Sequence, residues 1–141
     1  LLFFASRRHH LEKAIIPAIN EGKIVICDRF TDSTIIYQGR DNNELINLIR
    51  ELNQTVIGIV PDLTIIIDID PKKSLNRGLK RNSKEVRFEK LGLEFQNNAR
   101  NGYIELSKTQ KRYHLIDGNK DIEFVHHLIW DKVSNYFNFE N

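Results

Sequence analysis

The chain is 141 residues long, 40% hydrophobic and 28% charged, with 21 Lys and Arg set against 19 Asp and Glu for a formal charge of +2. That length suits one domain, residues 1–141, with its own core, and the near balance of charge argues against a nucleic-acid groove, so an anionic ligand must be held by local basic residues. A single cysteine, Cys27, excludes a disulfide framework, and no apolar run approaches the roughly 20 residues that cross a bilayer, so the protein reads as cytoplasmic with no membrane partner.

From Arg8 to Asn20, Leu11, Ile15, Ala18 and Ile19 recur at helical spacing before Gly22. Pro17 is expected to kink this helix, because it has no amide hydrogen and its ring crowds the preceding turn. "KIVICD", residues 23–28, has the run of apolar residues of a strand covered on both faces. Leu45, Ile46, Ile49, Leu52 and Val56 predict a second helix from Asn42 to about Gly58, and "PDLTIIIDID" a second strand between Pro61 and Pro71. Pro71 suits a first helical turn, after which "KKSLNRGLKRNSKEVRFE" is basic and broken by Gly78 and Asn82-Ser83. Phe95, Ala99, Tyr103 and Leu106 mark another helix through Gly102, "YHLID" a third strand, and Ile122, Val125, Ile129 and Val133 a closing helix. Apolar strands alternating with helices predict an α/β fold with a parallel sheet and helices on both faces. Three strands are few for so much helix, and the chain opens at Leu1 without a methionine, so a strand, loop and helix are expected to precede it.

Strands of a parallel sheet end at the edge where ligands bind in open α/β folds, and Asp28-Arg29 stands at such an end. The pair reads either as a surface ion pair or as a site, the guanidinium offering a planar fork to phosphate oxygens and the carboxylate a place for hydrated magnesium. Ser33, Thr34, Tyr37 and Gln38 follow at spacings that could read a base or a sugar. Phe3 and Arg7 are four apart: a core ring and a solvated charge, or a stacking platform beside a guanidinium that bonds a base edge. Arg77, Lys80, Arg81, Lys84 and Arg87 are either a solvated face or a basic lid, approximately residues 80–90, closing over a nucleotide. The histidines have no partner at zinc-ligand spacing, and neither G-x-S-x-G nor G-x-x-x-x-G-K-[ST] occurs.

Taken in order, "LLFFASRRHHLEKAIIPAINEGKIVICDRFTDSTIIYQG", "PDLTIIIDIDPKKSLNR", "RNSKEVRFEKLGLEFQNNARNGYIEL" and "HLIDGNKDIEFV" resemble a bacterial thymidylate kinase, from Leu1 almost to the carboxyl terminus. The resemblance covers the C-terminal two-thirds of such a protein and implies a P-loop nucleoside-monophosphate kinase fold, without the P-loop segment in this chain. It implies transfer of the γ-phosphoryl of ATP to dTMP, giving dTDP on the way to dTTP, with Mg2+. By the same resemblance Phe3 stacks on thymine, Arg7 bonds the base edge, Asp28 lies by magnesium and the acceptor phosphate, and Arg29 binds that phosphate. Ser33 and Thr34 line the monophosphate pocket, Tyr37 packs on the deoxyribose, and Gln38 approaches the base. Arg81, Arg87, Phe88 and Glu89 belong to the lid, where Val86 and Phe88 depart from a frequent acid and tyrosine, and Asp117, Gly118 and Asn119 form either a loop against adenine or a tight structural turn. A homodimer is implied too. Two other functions are weighed: a non-catalytic nucleotide-binding remnant, and a nucleic-acid module, which the charge balance and missing recognition motifs disfavour.

Overall fold

The computed structural model describes residues 1–39, 42–80 and 91–139, the side chains of residues 77–80 excepted. The chain divides into two units, Leu1–Val60 and Pro61–Asn141. No helix among the described residues is long and apolar enough to cross a membrane.

In the first unit α1 (Leu2–His10) runs into a widened π-type turn, Leu11–Ile15, and then α2 (Ile16–Asn20) without leaving helical geometry. The turn is where Pro17 predicts a break: the proline cannot donate to the carbonyl four residues back, and a wider turn absorbs the mismatch. Gly22, at φ 75°, ends the helical course. After α3 (Thr31–Thr34) and a second π-type turn, Ile35–Gly39, comes α4 (Asn43–Leu52). Its first turn is closed by Asn42, whose side chain accepts the Leu45 amide hydrogen at 2.9 Å, and a third π-type turn, Asn53–Ile57, ends at left-handed Gly58. Phe4, Leu11, Ile15, Ile49 and Ile57 form the core, with Val25, Cys27, Phe30, Ile35, Leu52 and Val56 packed around it.

Residues 23–28 differ from the sequence expectation: they join no sheet among the described residues. Their alternation survives, since Val25 and Cys27 pack on the core while Ile24 is half exposed and Ile26 is 95% exposed. Apolar pattern reports which side chains seek burial, whereas a strand exists only through the hydrogen bonds of a neighbour.

In the second unit β1 (Thr64–Asp68) and β2 (Tyr113–Asp117) pair in parallel, from Thr64 opposite Tyr113 to Asp68 opposite Asp117. Parallel neighbours need a long crossover, supplied here by α5 (Pro71–Lys80) and α6 (Gly92–Ser107). α6 packs on both strands and α7 (Ile122–Phe137) on β2, which is the expected α/β arrangement. Ile66, Phe95, Ala99, Tyr113 and Ile116 are buried, and Ile67 and Leu115 are about half exposed, so neither strand is covered along its whole length. Val125, Ile129 and Val133 are partly covered, but Ile122 is exposed, standing in the first turn directly after the capping Asp121.

Candidate functional site

Asp28 and Arg29 lie in an exposed bend, held from below by Cys27 and Phe30, which pack on the core. Arg29 adopts φ 64°, a left-handed backbone that a side chain with a Cβ enters only at a cost. Its carbonyl accepts from the Cys27 thiol at 3.5 Å. The guanidinium lies over the Tyr37 ring, 4.8 Å from the centroid, and donates from Nη2 to the Tyr37 hydroxyl at 3.2 Å.

Arg7 is held in a similar manner. It donates from Nη1 to Thr34 Oγ1 at 2.5 Å and lies 5.9 Å from the centre of the Phe3 ring. Phe3 is 49% exposed, so its ring has a free face and is not the core residue that its apolar character alone suggests. Burial pushes the Cys27 thiol up, Arg7 pulls it down and Asp28 raises it further, so the charges of Arg7 and Asp28 meet at this cysteine. Thr34 and Tyr37 thus hang two arginines on one short helical stretch, with Asp28 beside them. Gln38 on the same stretch is exposed.

That stretch is unusual in another respect: Thr31, Asp32, Ser33 and Thr34 are all buried. Ser33 and Thr34 are candidates from the sequence. Thr31 and Asp32 are not, because short polar residues are mostly exposed and only the fold shows that these two are covered.

In the second unit Asp117, Gly118 and Asn119 make a tight turn at the end of β2. The Asn119 amide and its side-chain Nδ2 both donate to Asp117 Oδ1 at 2.9 Å, while Asn119 Oδ1 accepts the Asp70 amide hydrogen at 3.0 Å. Gly118 donates to the Asp68 carbonyl at 2.7 Å, and a Cβ there would come 2.5 Å from Ile67 Cγ2. Asp68 in turn receives Arg100 of α6 through two bonds, Nε to Oδ1 at 2.6 Å and Nη2 to Oδ2 at 2.8 Å. Sequence reasoning missed this pair, which joins residues 32 apart with no local pattern.

Asp70 is held below the usual carboxylate range chiefly by the amide hydrogen of Lys73, with that of Lys72 adding, and Asp117 by the backbone and side-chain bonds from Asn119. Depressed values mean that these carboxylates stabilise the fold above the unfolded carboxylate range, about pH 4, and that this is lost as pH falls through their folded values. Hydrogen-exchange protection at the Lys73 and Asn119 amides, taken relative to the intrinsic exchange rate at each pH, is therefore expected to fall on acidification from pH 5 to pH 2, less so in Asp70→Asn and Asp117→Asn. Equal acid sensitivity in all three proteins would contradict this.

Among the described residues no group of three or more His, Cys, Asp and Glu could hold a metal ion. Mg2+ does not need such a group, since it keeps several waters and is commonly held by one or two carboxylates together with substrate phosphates, and Asp28 is an exposed carboxylate of that kind. Arg81, Arg87, Phe88 and Glu89 lie outside the described residues, as does most of the expected lid.

A profile of the thymidylate kinase family matches residues 1–129. The chain belongs to the thymidylate kinase family. The thymidylate kinase of Ruegeria pomeroyi is 42% identical over 139 residues, covering 98% of this chain and 66% of its own length. That of Dinoroseobacter shibae is 49% identical over 121 residues, covering 85% and 58%. The crystal structure of the Ehrlichia chaffeensis thymidylate kinase superposes with a TM-score of 0.70 at 36% identity, over 93% of this chain and 61% of that one. The chain therefore spans roughly three-fifths to two-thirds of the length of such thymidylate kinases, and the α/β fold expected from its sequence is the one it shares with that structure.

Proposed function

We propose that the protein is a dTMP kinase, transferring the γ-phosphoryl of ATP to dTMP with Mg2+ to give dTDP and ADP. The observation that carries this reading is the placement of Arg7 on Thr34 and Arg29 on Tyr37, beside Asp28, in a chain of the thymidylate kinase family. Phosphoryl transfer asks the protein for alignment and charge compensation more than for covalent chemistry. Phe3 presents a ring face to thymine and Arg7 a guanidinium to the base edge. Arg29 holds the dTMP phosphate, one oxygen of which attacks the γ-phosphorus as the bond to the ADP oxygen breaks. Asp28 is the carboxylate for Mg2+, which when bound offsets charge on the phosphates. Tyr37 stands against the sugar, with Ser33 and Thr34 lining the phosphate side and Gln38 near the base. Arg81, Arg87, Phe88 and Glu89 close over the phosphates, and the turn of Asp117, Gly118 and Asn119 lies against adenine. The active form is a cytoplasmic homodimer.

An assay of ADP release with each nucleoside monophosphate tests this. The expected result is turnover with dTMP far above that with its ribose counterpart. Binding of dTMP without turnover would favour a nucleotide-binding role alone, and neither binding nor turnover would end the reading.

A further inference from the structure

Arg29 is exposed on a bend, where a long flexible side chain has many orientations and ordering it is entropically costly. Tyr37 removes that freedom in two ways: the ring face fixes the plane of the guanidinium, and the hydroxyl fixes its rotation within that plane. Tyr37 is itself well anchored. It sits in the π-type turn Ile35–Gly39, whose first residue packs on the core and whose last is sealed so closely that a Cβ on Gly39 would meet Ile46 Cγ1 at 2.7 Å. The left-handed backbone of Arg29 adds to this, since glycine would occupy that conformation without strain and an arginine there implies that its side chain is needed. Arg7 shows the same arrangement from separate residues, with Phe3 supplying the ring and Thr34 the hydroxyl.

We propose that Tyr37 is a positioning residue for Arg29, holding its guanidinium in the one orientation that meets the acceptor phosphate, in addition to any contact of the ring with the sugar. This rests on the dTMP kinase reading. The hydroxyl and the ring then have separable roles: the hydroxyl serves Arg29, whereas the bulk of the ring serves the sugar.

Tyr37→Phe keeps the ring and removes the acceptor. It is expected to lower kcat for dTMP about tenfold, the usual scale for a hydrogen bond to a charged group, with KM for dTMP little changed and the preference for dTMP over its ribose counterpart retained. In an Arg29→Lys background the same change is expected to have no further effect, because an ammonium has no plane for the ring and hydroxyl to orient. In the ligand-free protein, 15N relaxation at Arg29 Nε is expected to report an ordered side chain that becomes mobile in Tyr37→Phe. Unchanged kcat, an equal loss in the Arg29→Lys background, or unaltered Nε order would each overturn the proposal. No turnover of dTMP by the wild type, with Nε order still lost in Tyr37→Phe, would remove the kinase reading and leave the hold of Tyr37 on Arg29 standing.

Discussion

Arg29→Ala is expected to lower phosphoryl transfer to dTMP by about 100- to 1,000-fold, the range seen when one preorganised donor to developing charge is deleted. The fold should scarcely notice, because the side chain is exposed and alanine inherits the same left-handed backbone. Arg29→Gly separates the two effects further: it loses the guanidinium equally, yet relieves backbone strain on the order of 1 kcal/mol, partly offset by the greater freedom of glycine in the unfolded chain. The expected pair of results is therefore a glycine variant as inactive as the alanine variant and at least as resistant to urea. Turnover near wild type in either variant would remove Arg29 from the reaction. A large loss of urea resistance in both would make it a scaffold residue instead.

Gly118→Ala is the substitution expected to damage the fold of the second unit most. Its methyl would lie 2.5 Å from Ile67 Cγ2 and 3.0 Å from the Asp68 carbonyl oxygen, and the same glycine donates its amide hydrogen to that oxygen. Forcing a carbon into such a gap costs about 1–3 kcal/mol, which a thermal scan should register as about 2–4 °C for each kcal/mol in a chain of this size. Ile67 is about half exposed and can yield, whereas the backbone cannot, so Ile67→Ala should restore only part of the loss. An alanine variant as stable as wild type would show that the turn relaxes freely. Because the turn is also the proposed adenine contact, KM for ATP should rise in the alanine variant more than KM for dTMP.

The helices were legible because their signals are local. Asn42 and Gly58 bracket a helical course in the sequence, and in the structure they are its cap and its left-handed stop. Pro17 announced a disturbance, though its form as a widened turn between Leu11 and Ile15 depends on how the carbonyls regroup. The exposed position of Asp28 and Arg29 followed from an apolar run that ends abruptly. What could not be read was their company. Arg7 meets Thr34 across 27 residues, Arg100 meets Asp68 across 32, and Asn119 meets Asp70 across 49, and nothing in local spacing distinguishes these partners from other polar residues. Likewise, residues 23–28 carry the apolar content of a strand, and only the surroundings decide whether a ladder forms.

Alternating apolar runs and helical periods, caps, stops and the ordered series of motifs were enough to determine the α/β class and the family, and to nominate the residues proposed for a nucleotide site. Their physical basis is steric and hydrogen-bonding preference over a few residues, which a linear sequence contains in full. The left-handed backbone of Arg29, the seat of its guanidinium on Tyr37, the burial of Thr31 and Asp32 and the bridge from Arg100 to Asp68 were decided by tertiary structure alone. Each depends on which distant groups are brought within a few ångströms when the chain closes on its core, and that distance is a property of the fold rather than of any segment in it.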